Sequence, residues 1–215
     1  MKQLILTIVV FVCLSHGFAQ SNSIKKDSSF LHIFSQIAFQ RTTENIPMLR
    51  RWNQNINICI EGVESNGFKD SIKQILELPR IQALLNGITI NWVTDKNAAN
   101  YMIRFDTTGR NYYYLSWDRT GNIYKCLVTI NTKISFARSE QLLLVRNYFL
   151  TSLGHFYFQT GVRFPVINSC LYSLLDNISA FDEKVIQLEY SNELKAGMTL
   201  MEFTELRYQW KYSAN

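Results

Sequence analysis

Three positions in the C-terminal half of the chain carry side chains that can do acid–base or covalent chemistry: His155, Cys170 and the acidic pair Asp182-Glu183. His155 lies in the stretch RNYFLTSLGHFYFQ, residues 146–159. A hydrolytic zinc centre needs two imidazoles one helical turn apart, so that both point at one ion, and a glutamate beside the first as general base. The chain contains neither H-E-x-x-H nor H-x-x-E-H. From Gln141 to Leu175 there is no Asp, Glu or Lys, and the only full charges are Arg146 and Arg163. No metal and no cofactor is therefore expected. A cysteine nucleophile needs a histidine in reach and a third group to orient it. Cys170 and His155 are the only such pairing in one neighbourhood, and NSCLYSL lacks the glycines of a nucleophile elbow. Asp182 and Glu183 diverge by about 100° on a helix, so they read as an N-terminal cap and a first-turn acid. An unconventional hydrolase would have to pair His155 with Cys170, or bring Asp182 to the 146–159 helix by tertiary folding.

Binding chemistry has other candidates. The stretch GRNYYYLSWDRTGN (109–122), read as a strand, puts Tyr112, Tyr114 and Ser116 on one face and Tyr113, Leu115 and Trp117 on the other. Tyr112, Tyr114 and Trp117, flanked by Arg110 and Arg119, could stack on a glycan or a peptide. On the 146–159 helix, Arg146, Asn147, Tyr148 and His155 are the binding candidates of a segment that is apolar over more than half its circumference. Such a helix is buried between layers, and its arginine and histidine then need partners.

The elements that must position these residues follow from periodicity. NINICIEG (55–62) alternates as a strand. GFKDSIKQILELPRIQALLNG (67–87) reads as a helix broken at Pro79 and stopped at Asn86-Gly87. ITINWV (88–93), YMIRFD (101–106), NYYYLSW (111–117) and IYKCLVTIN (123–131) read as strands, followed by a long helix over roughly 138–159. FLHIFSQIAFQ (30–40) suits a helix or a strand, and short helices are expected near 168–177, 181–192 and 199–211. The predicted class is α+β: a mixed sheet with long helices packed on it and a helical C-terminal third. The order strand, helix, four strands, helix is also that of the zincin metallohydrolases, whose second helix carries the metal-binding histidines.

The start, MKQLILTIVVFVCLSHGFAQ, reads as a secretory signal peptide cut after Ala19. Its apolar run is too short and too interrupted for a membrane span, so no stable span is expected after cleavage. The FAQ ending resembles exported proteins of Bacteroidetes-type bacteria. The organisation expected is a signal peptide over 1–19, an N-terminal segment over 20–49, and one domain over 50–215. The product would be periplasmic, associated with the outer envelope, or secreted. Three Pro and nine Gly argue against a sandwich of many short loops or a disordered chain. The formal charge of +5 weakly favours anionic surfaces. No nucleic-acid partner is expected; an unidentified protein, peptide or glycan is. Cys59, Cys126 and Cys170 remain after cleavage, and they read as buried apolar residues, with a Cys59–Cys126 bridge open if their strands are neighbours.

Four segments together carry a family resemblance: RRWNQNINICIEG, ITINWVTDKNAANYMIRF, LTSLGHF and FDEKVIQLEYSNELKAGMT. They resemble the family known as domain of unknown function 2927, exported bacterial proteins, over roughly residues 50–202. The family opens on Arg-Trp and a strand, has a helix ending in Ser-Leu-Gly after a glutamate pair, and closes on Asp-Glu…Tyr…Gly-Met. The resemblance implies a zincin-like fold and at most a presumptive hydrolase of peptidase type. With Ser152-Leu153-Gly154 aligned, the glutamate pair falls on Asn147 and Tyr148, and Asn168-Ser169 stands where Asp-Ser is usual. Neither Asn nor Tyr can replace a carboxylate base at neutral pH. The expectation is a retained zincin-like scaffold, a pseudoenzyme that binds a partner at the cell envelope. The alternatives are an unconventional hydrolase or a glycan- or peptide-binding module.

Overall fold

The computed structural model describes residues 24–25, 27–39, 47–156 and 178–212. The segment read as a signal peptide, the helix expected near 168–177 and Cys170 lie outside the described residues. Helix α1 (Ser28–Ala38) is capped by Asp27, whose carboxylate accepts from Phe30 N at 2.9 Å. It settles the helix-or-strand choice left open for 30–40. The chain continues through β1 (Arg51–Trp52), β2 (Ile56–Glu61), α2 (Asn66–Ile75), α3 (Leu78–Gln82), β3 (Ile90–Trp92), β4 (Tyr101–Asp106), β5 (Tyr112–Trp117) and β6 (Asn122–Asn131). It ends with α4 (Arg138–Gly154), α5 (Ala180–Glu189) and α6 (Leu200–Tyr212). The architecture is α+β around a six-stranded, mostly parallel sheet.

The strand order is β3-β2-β4-β6-β5, all parallel except β5, which runs antiparallel to β6 as an edge. Ile123 pairs with both Trp52 and Trp117, so β1 and β5 flank β6 on opposite sides, and β1 shares the side occupied further along by β4. Alternation then sorts the side chains. Ile56, Ile58, Tyr101, Ile103, Phe105, Leu115, Cys126, Val128 and Ile130 face inward and are buried. Asn91, Arg104, Lys125, Tyr112 and Tyr114 stand on the other face and are exposed. α4 crosses the inner face, in contact with β1, β5, β6, α2 and α5. It buries Val145, Phe149 and Leu153 completely.

The break at Pro79 falls where the sequence places it. α2 ends at Ile75, Glu77 takes a left-handed conformation (φ 45°), and Pro79 sits in the first turn of α3. α4 is shorter than expected. It stops at Gly154 because His155 adopts φ 51° and both His155 N–H and Phe156 N–H return to the carbonyl of Thr151. Phe156 folds back beneath the helix end, where a Cβ on Gly154 would come within 2.4 Å of its ring. His155 and Phe156 therefore do not continue the helical stripes. The Cys59–Cys126 bridge does not form: both thiols are free and buried. β4 separates their strands, and the register puts Cys59 on the face of Met102 and Cys126 on the opposite face with Tyr101.

The N-terminal segment is not peripheral. Phe34 of α1 is fully buried, its ring 5.4 Å from that of Phe203 on α6, and Phe30 meets Phe181 of α5 edge-on at 5.4 Å. Among the described residues no helix is long and apolar enough to cross a membrane.

Candidate functional site

Most of the residues that carry the family resemblance, Asp182-Glu183 apart, meet at one junction. The indole N–H of Trp52 donates to the Ser152 carbonyl at 3.1 Å, and the Tyr101 hydroxyl meets Ser152 Oγ at 3.0 Å. Tyr190 OH donates to the Leu153 carbonyl at 2.7 Å and accepts from Trp52 N at 3.3 Å. Arg51 Nη1 donates to the carbonyls of Glu189, Ser191 and Leu194 at 2.7, 3.2 and 3.0 Å. Gly197 N–H donates to the Leu49 carbonyl at 2.8 Å. Arg-Trp, Ser-Leu-Gly, Tyr and Gly-Met thus tie the first strand, the end of α4 and the C-terminal segment together. Their work is mechanical, since each satisfies a buried backbone group.

The candidate acids and the arginine of α4 form a second cluster. Arg146 is buried and pairs with Glu77 at 3.2 Å. Glu77 also accepts from Ile178 N at 2.9 Å and lies 3.4 Å from Arg80, which in turn pairs with Glu183 at 2.5 Å. Asp182 is buried in the first turn of α5. The cap of that helix is Ser179, whose hydroxyl accepts from Asp182 N at 3.1 Å and donates to Asp182 Oδ2 at 2.6 Å. Asp182 and Glu183 are therefore both first-turn acids. Burial raises the Asp182 carboxyl to about 6, against the opposing pull of Ser179 and the charge of Arg146. The fold does bring Asp182 towards α4, but to Arg146. Glu77 was not foreseen; its only sequence signal was its place just before Pro79.

At the other end of α4 the aromatic residues of β5 meet His155. The Trp117 ring lies 5.0 Å from the His155 ring, Tyr113 lies 6.3 Å from His155, and Tyr113 and Tyr148 are 5.5 Å apart. Tyr113, Trp117, Tyr148 and His155 are each half-buried. Tyr112 and Tyr114, 40% and 64% exposed, point away on the outer face, so the three aromatics considered together as a platform are divided between two faces. Asn147 is buried. A bulge between Ser116 and Trp117 bends the edge strand beside this row.

The row ends on a residue that sequence reasoning missed. Arg50 is 2% exposed, and its guanidinium stacks over Trp117 at 4.4 Å from the ring centroid. Alternation along Leu49-Arg50-Arg51-Trp52 sends Arg51 to the C-terminal segment and Arg50 inward with Trp52. Two arginines in succession before a strand were the available signal, because they cannot both face solvent. Among the described residues Arg50 meets no carboxylate, and its buried Nε–H meets no acceptor. Burying an unpaired charge costs several kcal/mol, of which the stacking returns about 2 kcal/mol. Burial accordingly lowers the Arg50 pKa. Burial, and then the charge of Arg50, lower His155 to about 4, so its imidazole is neutral at pH 7.

Among the described residues no group of three or more His, Cys, Asp or Glu side chains stands close enough to hold a metal ion. A groove of about 610 Å³ lies elsewhere, between Arg119-Thr120, the Glu193–Met198 segment and α6. No protein-family model matches the chain, and no curated protein matches it.

Proposed function

We propose that this chain is an exported bacterial domain of zincin-like build that binds a partner at the cell envelope and has no peptidase activity. The observation that carries the reading is the content of the long helix and the space at its end. The positions aligned with the family's glutamate pair hold Asn147, which is buried, and Tyr148, whose ring packs against that of Tyr113. The helix ends in a histidine packed between aromatic rings, and among the described residues no carboxylate base stands there. The element order and the placement of α4 across the sheet support a zincin-like scaffold. The junction of Trp52, Ser152, Leu153 and Tyr190 accounts for a retained motif by its packing role. Zinc content and peptide turnover of the purified protein at neutral pH test the proposal. The expected result is substoichiometric zinc and no turnover. Tight stoichiometric zinc with general peptidase activity would overturn it.

A further inference from the structure

We propose that Arg50, Trp117 and His155 form a binding site for a carboxylate carried on an apolar body. The proposal rests on the binding reading above and names the ligand class of the same region. Arg50 is a buried cation whose Nε–H meets no acceptor among the described residues. Its guanidinium carbon lies over the Trp117 ring, 4.4 Å from the centroid, and a guanidinium presents its donors in one plane. A carboxylate matches that plane with two parallel hydrogen bonds, a geometry a lone lysine cannot offer.

The surroundings select the rest of the ligand. The groups lining the row beyond Arg50 are Trp117, His155, Tyr113 and Tyr148, all flat and half-buried. At neutral pH the imidazole and both phenols are uncharged. One positive charge in an otherwise neutral aromatic row balances a monoanion, whereas a phosphate dianion would leave a charge uncompensated in a poorly solvated place. The rings favour an apolar or aromatic body attached to the carboxylate. Two sources share this chemistry: a free small organic acid and the C-terminal carboxylate of a peptide.

Calorimetric titration of the full protein at neutral pH and low salt compares acetyl-phenylalanine with its amide. A second pair of short acetylated peptides ends in phenylalanine with a free or an amidated C-terminus. At least one acid is expected to bind about tenfold or more tightly than its amide. Binding of both acids assigns a general organic carboxylate; binding of the peptide acid alone assigns a chain end. In nitrogen-15 spectra the Arg50 Nε–H resonance, identified by its loss in Arg50→Lys, is expected to move with saturation. Arg50→Met should abolish the preference for acid over amide, and Trp117→Phe should weaken acid binding while keeping that preference. If Arg50→Met fails to fold, the Arg50 resonance of the unaltered protein decides. Equal binding of acid and amide, no binding of either, or a stationary Arg50 resonance overturns the proposal. Zinc content and turnover are separate readouts, so the absence of peptidase activity can stand if carboxylate binding fails.

Discussion

The hydroxyl of Tyr190 donates to the carbonyl of Leu153 across 2.7 Å, joining the end of α5 to the last turn of α4. The same oxygen accepts from Trp52 N, so one atom serves three elements. Tyr190→Phe keeps the ring and leaves both a buried N–H and a buried carbonyl without this partner. A loss of about 1–3 kcal/mol in urea unfolding is expected. A change within about 0.5 kcal/mol, the usual range for a surface substitution, would show that the hydroxyl does not hold the junction.

Gly121 and Gly197 meet backbone to backbone. A Cβ on Gly121 would stand 2.6 Å from both Gly197 N and the Leu49 carbonyl, and one on Gly197 would stand 2.7 Å from the Thr120 carbonyl. Both glycines have positive φ, 78° and 81°. Gly121→Ala and Gly197→Ala are each expected to cost more than about 1–3 kcal/mol, because left-handed strain and a backbone clash act together. Thermal melts of the two variants check this, and an unshifted midpoint in either would refute the close approach.

Stability should depend on pH through two groups with opposite signs. Asp182 is raised from 3.8 to about 6, so the folded state binds its proton more tightly than the unfolded chain does. Its contribution is present below about pH 4 and is lost as pH rises through 6, a span worth about 3 kcal/mol. His155 is lowered from 6.5 to about 4, so its contribution is present above about pH 6.5 and is lost as pH falls towards 4. Its span is again worth about 3 kcal/mol. Between these limits the two slopes oppose each other. Asp182→Asn should stabilise the protein at pH 7 and steepen its loss of stability on acidification. His155→Asn, which tolerates the left-handed backbone, should remove the acid loss and leave stability rising as pH falls. Denaturant midpoints from pH 4 to 8 read both slopes; identical profiles for the two variants would contradict the assignment.

Glu77 serves Arg146, Arg80 and the backbone of Ile178 from a left-handed position between two helices. Glu77→Gln retains the shape and removes the charge facing a buried arginine. A destabilisation of about 1–3 kcal/mol is expected. It should persist at high salt, because Arg146 is buried and little screened. Urea titrations at low and high salt distinguish this from a surface pair, whose effect would vanish with salt.

Much of the fold was legible because its strands and helices carry their own periodicity. Ile56, Ile58 and Ile60 alternate, Pro79 interrupts a helical pattern, and each signal is local to a few residues. The end of α4 was not legible. Nothing in Ser152-Leu153-Gly154-His155-Phe156 alone says that Phe156 turns back under Gly154; the aromatic core requires it. The disulfide question had the same character, since the crossovers, not the chain order, place β4 between the strands of Cys59 and Cys126.

The candidate site divides along the same line. The sequence by itself determined that the long helix brings no carboxylate beyond Glu140 in its first turn, because charge is a property of residue type. It also picked out Trp117 and His155 by type. Only the tertiary structure decided which face of β5 turns to α4, that Asp182 faces Arg146, and that Arg50 lies buried against Trp117. Those facts depend on which strand lies beside which, and on how β1 enters the sheet. They arise from contacts between residues far apart in the chain, which no local pattern encodes.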